Sequence, residues 1–151
     1  MNSMLQKEDI KRIIPHRDPF LLLDRVYDLK PGISGRGSLY VDRESIWLEG
    51  HFPDYPVFPG VLLTESVAQL GSVVVLCQED LRGNIPLFAG LDSVKFRRQV
   101  VPGDTVDMEV EIIKSKRKFG VGWGRALVGD KLVLEGKLKF ALVPGGDQNQ
   151  T

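Results

Sequence analysis

Two residues in the middle of the chain are suited to proton transfer. His51 lies in a proline-rich loop, and Glu65 follows in a strongly apolar stretch. A histidine side chain changes protonation near neutral pH, and burial in apolar surroundings disfavours the charged form of a carboxyl group. A proton acceptor and a proton donor together predict general acid–base chemistry. The alternative is structural: His51 hydrogen-bonds within a turn and Glu65 pairs with a distant arginine.

The elements that carry these two residues have opposite local preferences. Three prolines restrict residues 50–60 to extended and turn geometry, because proline lacks an N–H donor and disfavours helix in the residue before it. A helix is predicted from Gly60 to about Cys77, and it is apolar almost all round, so it should be buried. The N–H groups of Gly60 and Val61 have no partner inside that helix and lie at its positive end. They could therefore polarise a carbonyl oxygen.

Two further polar residues bear on the same site. Gln69 follows Glu65 by four positions, so both side chains project from one face of the predicted helix. An uncompensated buried carboxylate is costly, so the presence of Glu65 in an apolar helix needs an explanation. A carboxylate exposed to solvent would need none. His16 is an alternative base, but it lies between Pro15 and Pro19. That rigid turn favours a structural role, in which the imidazole hydrogen-bonds to the turn.

Composition excludes several classes of function. The 151 residues are 42% hydrophobic and 26% charged, with a formal net charge of zero. These values predict one domain with a real core, and neither nucleic acid nor a membrane as the main partner. The single cysteine, Cys77, cannot form an intrachain disulfide and is expected to be a buried thiol. The N-terminus has no apolar block typical of a signal peptide, so a cytoplasmic location is expected. Neither a metal-spaced His/Cys cluster nor a glycine-rich phosphate loop is present.

The remaining pattern predicts an α+β domain in which one apolar helix packs against a face of an antiparallel sheet. A short helix should end at Pro15, and Gly129-Asp130 should form a hairpin turn. The domain is expected to span 1–143, with a disordered tail over 144–151. Strands are predicted from apolar runs or from apolar and polar alternation at 20–29, 33–41, 106–112, 119–127 and 132–142.

Four blocks of the chain resemble the FabZ-type 3-hydroxyacyl-acyl-carrier-protein dehydratases. Residues 50–69 read Gly-His-Phe-Pro-Asp-Tyr-Pro-Val-Phe-Pro-Gly-Val-Leu-Leu-Thr-Glu-Ser-Val-Ala-Gln, and the blocks 14–26, 88–98 and 101–104 match in the same order. The resemblance covers most of the chain. It implies a hot-dog fold, in which a curved antiparallel sheet wraps a long central helix.

The resemblance also implies a function in type II fatty acid biosynthesis. Water would be eliminated from a (3R)-3-hydroxyacyl thioester to give the trans-2-enoyl thioester. Related dehydratase-isomerases carry Asp at the position of Glu65, so isomerisation is not expected. His51 would be the base and Glu65 the acid, and the backbone at Gly60 and Val61 would bind the thioester carbonyl. The reaction moves no electrons to an acceptor, so neither a metal nor another cofactor is expected.

Partners follow from the same resemblance. The family works as a homodimer in which His51 of one chain meets Glu65 of the other, and a trimer of dimers is expected here. The substrate arrives on acyl carrier protein, an acidic partner. The basic residues Lys95, Arg97 and Arg98 are the preferred docking candidates over the basic stretch 114–118, although either could be solvated surface.

Three points remain open at this stage. Leu87 stands where enzymes of this type often carry a tyrosine, so a gating or tunnel-lining role at this position is open. A thioesterase would use the same fold and dimer but would position water against the carbonyl carbon. A catalytically silent acyl-binding module would retain the fold and lose the acid or the base, so the presence of both His51 and Glu65 argues against it.

Overall fold

The computed structural model describes residues 4–49, 51–52 and 54–145. Three helices and six strands make up the described fold. The helices are α1 (Lys7–Lys11), α2 (Ile46–Glu49) and α3 (Gly60–Leu76), with a 3-10 turn at Glu79–Leu81. The strands are β1 (Arg25–Lys30), β2 (Ser34–Tyr40), β3 (Asn84–Phe96), β4 (Thr105–Lys116), β5 (Phe119–Val128) and β6 (Lys131–Pro144).

The six strands form one antiparallel sheet in the order β1-β2-β4-β5-β6-β3. Helix α3 packs against it, chiefly against β2, β4 and β5. Its bounds agree with the helix predicted from the sequence. A central helix against one antiparallel sheet is the hot-dog arrangement, and the prediction of fold class is confirmed.

Helix α3 is held by burial on most of its sides. Val67, Leu70 and Val73 are fully buried, and each such apolar side chain contributes roughly 1.5–3 kcal/mol relative to an exposed one. The buried hydroxyls of Thr64 and Ser66 donate to carbonyls one turn earlier, at 3.0 and 2.8 Å. Such pairing is what allows polar side chains inside an apolar helix.

The first strand is shorter than predicted. It begins at Arg25 rather than Phe20, and residues 21–24 carry no regular structure. The reason is tertiary: the side-chain amide of Gln69 bonds to the backbone of Phe20, Leu22 and Leu23, so those groups do not join a strand ladder.

Strand β5 presents the opposite face to the one that its apolar residues suggested. The alternation of Phe119, Val121 and Trp123 predicts that these side chains face the core, yet none of the three is buried. Gly120, Gly122 and Gly124 face inward instead. A β-carbon on Gly124 would lie 2.5 Å from Cγ1 of Val67 on α3. Glycine is therefore required at position 124, because the helix approaches the strand too closely there for a side chain.

Two boundaries complete the comparison with the sequence. Helix α2 was not predicted, although Ser45 caps it by accepting a hydrogen bond from the Trp47 N–H at 3.2 Å.

Strand β6 ends at Pro144, so regular structure runs one residue past the predicted domain boundary. The predicted disordered tail from residue 146 onward lies outside the described residues. No helix in the described ranges is long and apolar enough to cross a membrane.

Candidate active site

A narrow pocket lies between α3 and the sheet, and Glu65 forms part of its wall. The space within one chain is about 50 Å³, well below the roughly 300–1,000 Å³ of typical ligand sites. Its lining is mostly apolar. It comprises His16; Glu65, Ala68, Gly71, Ser72 and Val75 from α3; Pro86, Leu87 and Phe88 from β3; and Val110, Ile112, Gly122, Leu138, Lys139, Phe140 and Leu142 from the rest of the sheet.

The Glu65 carboxyl is positioned by two side chains that contact the same oxygen. Gln69 Nε2 donates to Glu65 Oε2 at 3.1 Å, and His16 Nε2 lies 3.5 Å from that oxygen. The side chains of Glu65 and His16 are each 15% exposed. Within the part of the chain that the structure describes, no arginine lies within ion-pair distance of Glu65, so a pairing with a distant arginine does not account for it.

The orientation of the Gln69 amide follows from its backbone partners. Its Oε1 accepts hydrogen bonds from the N–H groups of Leu22 and Leu23, at 2.9 and 3.3 Å. Backbone N–H groups can only donate, so the oxygen must face them and the nitrogen must face the other way. That nitrogen donates to the Phe20 carbonyl at 2.8 Å and to Glu65. Gln69 thus uses its whole hydrogen-bonding capacity, and it presents a donor to the carboxyl.

His16 does not have the role that its turn suggested. Its imidazole does not bond to the proline turn: Nε2 faces Glu65, and Nδ1 is buried with no hydrogen-bond partner among the described residues. The guanidinium of Arg17 makes the bonds that secure the turn, donating to the carbonyls of Lys11, Ile14 and His16. No sequence pattern indicates the contact between His16 and Glu65, because the two residues meet only in the tertiary structure.

His51 is half-buried in the loop before α3. Its Nδ1 lies 2.9 Å from the Val57 carbonyl oxygen, and its ring centroid lies 4.2 Å from that of Phe52. Because a carbonyl oxygen only accepts, Nδ1 must carry the proton of that hydrogen bond. In the neutral ring Nε2 is then unprotonated, which is the state of a general base.

Within one chain the structure does not bring His51 to Glu65. His51 is absent from the described residues that line the pocket around the carboxyl. The flanking Gly50 and Pro53 lie outside the described residues. The loop geometry therefore indicates the tautomer of His51, and within one chain this histidine lies outside the pocket that Glu65 lines.

The first amides of α3 are available for a ligand. The N–H groups of Leu62 and Leu63 both bond to the Pro59 carbonyl, whereas those of Gly60 and Val61 have no partner among the described residues. A β-carbon on Gly60 would lie 2.9 Å from the ring of Phe96 on β3. The two predicted carbonyl-binding amides are thus unpaired and lie at the positive end of a 17-residue helix.

The predicted docking residues differ in their surroundings. The Arg97 guanidinium donates to Glu135 Oε2 at 2.8 and 3.1 Å, so its charge is already paired. Lys95 lies opposite Glu135 in the register of β3 and β6. Arg98 is exposed and has no ion-pair partner in the described ranges. Of the three candidates, Arg98 offers the least compensated positive charge.

Two other predicted residues have simple placements. Leu87 is half-exposed on β3 and lines the pocket. Burial raises the pKa of the Cys77 thiol, which also donates to the Val74 carbonyl at 3.3 Å. No group of three or more His, Cys, Asp or Glu side chains that could hold a metal ion occurs among the described residues.

Comparison with known proteins places this chain in a family. The FabA-like domain matches residues 14–137. The 3-hydroxyacyl-(acyl-carrier-protein) dehydratase FabZ of Clostridium kluyveri is 49% identical over 142 residues, which cover 94% of this chain and 96% of that protein. The FabZ proteins of Symbiobacterium thermophilum and Bacillus subtilis are 51% and 46% identical, covering 87% and 92% of this chain and 92% and 99% of their own lengths.

Solved structures with low sequence identity share the fold. The dehydratase heterocomplex ApeI:P from Xenorhabdus doucetiae has a TM-score of 0.80 at 19% identity, and the match covers 93% of this chain and 95% of that chain. The PaaI protein of E. coli has a TM-score of 0.61 at 15% identity, covering 77% and 80%. The sequence relatives go further than the fold: the chain belongs to the FabZ group of 3-hydroxyacyl-acyl-carrier-protein dehydratases, within the FabA-like domain family.

Proposed function

We propose that this protein removes water from (3R)-3-hydroxyacyl thioesters on acyl carrier protein and releases trans-2-enoyl thioesters without isomerisation. The observation that carries the proposal is the placement of Glu65 in the wall of a mostly apolar pocket, where Gln69 and His16 are the polar partners of its carboxyl among the described residues. The named activity of the FabZ relatives at 46–51% identity supports the same reaction.

Each step of the elimination has a candidate group. His51 Nε2 accepts the proton from C2 of the substrate, and the electrons of that C–H bond form the new double bond between C2 and C3. The C3–O bond breaks, and Glu65 gives its proton to the departing hydroxyl, which leaves as water. The N–H groups of Gly60 and Val61 stabilise the negative charge that develops on the thioester oxygen. One proton then has to pass from His51 back to Glu65 before the next turnover.

The site is proposed to form between two chains, with His51 from one and Glu65 from the other. Two features support this arrangement. His51 is not among the described residues that line the Glu65 pocket of its own chain. Strand β3 pairs with β6 on one side only among the described strands, and its exposed apolar side chains include Leu87, Phe88 and Leu91. An open edge with exposed apolar residues is typical of a strand that pairs with another copy. A trimer of such dimers is proposed for the full assembly.

The carrier protein is proposed to approach along the basic end of β3. Lys95, Arg97 and Arg98 lie there, and complementary charge would accelerate encounter with an acidic partner. Because Glu135 already compensates Arg97, Arg98 is expected to contribute most. Acyl carrier protein would meet the enzyme in the cytoplasm, which is the proposed location.

Subunit mixing tests both the residue roles and the shared site. His51→Ala and Glu65→Gln should each lower kcat about 10²–10⁴-fold, the range for loss of a general acid or base. In a fully exchanged equimolar mixture, half of the dimers are mixed and each mixed dimer has one intact site. Activity should therefore return to about one quarter of the wild-type value per chain, since closed two-fold dimers pair the chains at random.

The outcomes separate the parts of the proposal. Either single variant with wild-type turnover would refute the role of its residue. If mass spectrometry of isotope-labelled chains shows exchange but no activity returns, the two residues act within one chain. The products decide between reaction classes, because a thioesterase releases a free acid whereas a dehydratase gives an enoyl thioester that remains on the carrier. A cis-3-enoyl product would contradict the absence of isomerisation.

A further inference from the structure

The two oxygens of the Glu65 carboxyl have different surroundings. Oε2 is 3.1 Å from Gln69 Nε2 and 3.5 Å from His16 Nε2, whereas Oε1 has no hydrogen-bond partner among the described residues. The Gln69 nitrogen is a donor in any arrangement that satisfies the backbone of Leu22 and Leu23. Oε2 must therefore accept a hydrogen bond.

The protonation of His16 is constrained by its other nitrogen. Nδ1 is buried and unpartnered in the described part of the chain. Orphaned buried N–H groups are rarer in native proteins than orphaned acceptors. The neutral tautomer with its proton on Nε2 therefore suits the site better than the one with a proton on Nδ1. In that tautomer His16 directs a second N–H toward Glu65 Oε2.

We propose that His16 is a positioning residue, which together with Gln69 occupies Oε2 of Glu65 and so assigns the transferable proton to Oε1. The proposal rests on the role of Glu65 as the catalytic acid. A neutral carboxyl has one proton and two oxygens, and rotation about the Cγ–Cδ bond would otherwise exchange them. Because Gln69 donates to Oε2 at 3.1 Å and His16 Nε2 lies 3.5 Å from the same oxygen, the O–H group forms at the oxygen that no protein group occupies. That oxygen remains available to the departing hydroxyl of the substrate.

The contact predicts a particular order of activity among His16 variants. His16→Leu keeps most of the side-chain volume and removes both nitrogens, whereas His16→Gln can place an amide N–H near the position of Nε2. We expect kcat to fall roughly threefold to tenfold in His16→Leu, the range for losing a hydrogen-bonding partner when both groups are neutral. His16→Gln should recover most of that loss. KM should stay within about twofold in both, since His16 is proposed to act on the proton donor and not on binding.

A matched control comes from the same helix but from outside the pocket lining. Ser66 is fully buried, and its hydroxyl donates to the Leu62 carbonyl within α3 at 2.8 Å. Ser66→Ala should keep wild-type kcat. If His16→Leu does not fold, His16→Asn replaces it, because asparagine places its amide nearer the position of Nδ1 and should be less active than His16→Gln. Thermal unfolding of every variant shows which of them are folded.

A double-mutant cycle distinguishes action through Glu65 from a general structural effect. In the Glu65→Gln background the acid is absent, so His16→Leu should cause less than about a twofold further loss. Equal losses in both backgrounds would overturn the proposal, as would wild-type kcat in folded His16→Leu. Wild-type turnover in Glu65→Gln alone would instead refute the proposed acid itself, and the two failures are therefore distinguishable.

Discussion

The approach of α3 to β5 can be tested with two glycines on the same strand and face. A β-carbon on Gly124 would lie 2.5 Å from Val67 Cγ1, whereas one on Gly122 would meet Val110 Cγ1 at an ordinary 3.5 Å. Val67 is fully buried, and a β-branched side chain in a helix has one strongly preferred rotamer, so it cannot turn away. In Gly124→Ala, the helix or the strand must move.

The magnitudes predict opposite signs for the two variants. Overpacking a core costs about 1–3 kcal/mol, and replacing glycine by alanine returns about 0.4–1 kcal/mol by restricting the unfolded chain. Gly124→Ala should therefore lower the free energy of unfolding by roughly 1–2 kcal/mol. Gly122→Ala lacks the clash and should be neutral or stabilised by up to about 1 kcal/mol.

Urea denaturation measures both variants and the wild type. Protein concentration must be the same in all three, because the stability of an oligomer depends on it. Equal stability of Gly124→Ala and Gly122→Ala would refute the argument that close helix–strand packing requires glycine here. Gly122 also lines the pocket, so its alanine variant should raise KM more for long acyl chains than for short ones.

Two other expectations concern charge. The hydrogen bonds from Arg125 and then Arg36, both 2.8 Å, outweigh burial and hold the pKa of Glu109 below its ordinary value of 4.5. A lowered folded-state pKa gives stability that is present above the ordinary pKa and lost as pH falls through the lowered value. Glu109→Gln should thus cost up to about 1 kcal/mol at pH 7 and progressively less as pH falls below the ordinary carboxyl pKa, and a difference in urea unfolding that stays constant down to the lowest pH at which both proteins fold would contradict this. Arg98→Glu should raise KM for carrier-linked substrate severalfold more than Lys116→Glu does and leave a short carrier-free thioester unaffected; equal effects of the two reversals would remove the preference for β3.

The parts of the fold that depend on local sequence could be predicted. Helix α3 follows from a long apolar run that begins just after Pro59-Gly60, and the β5–β6 hairpin turns at Gly129, whose φ of 64° suits glycine. The start of β1 could not be predicted, because a distant residue, Gln69, takes the backbone groups that would have extended it. The inward face of β5 could not be predicted either. Alternation identifies apolar side chains, but it does not show where a helix leaves no room for them.

The candidate site also contains residues that local sequence indicates and one contact that depends on the tertiary structure. Residue type and motif select His51 and Glu65 as candidates, and the unpaired amides of Gly60 and Val61 follow from the start of the helix. The position of His16 between two prolines predicts a role in its turn, because that position contains no information about a carboxyl on another element. Only the folded chain shows that its Nε2 lies beside Glu65.

Gln69 links the formation of the fold to the chemistry of the site. It is fully buried, and its amide makes two hydrogen bonds to the N–H groups that precede β1, one to a carbonyl there and one to Glu65. The three backbone bonds orient the Gln69 amide so that only its N–H group can face the carboxyl. The hydrogen bond that Glu65 accepts is therefore determined by the fold of the segment before β1. Any sequence that continued β1 as a regular strand through residues 20–23 would release this amide. The irregular segment before β1 is therefore part of the device that orients Glu65, and not a defect of the strand.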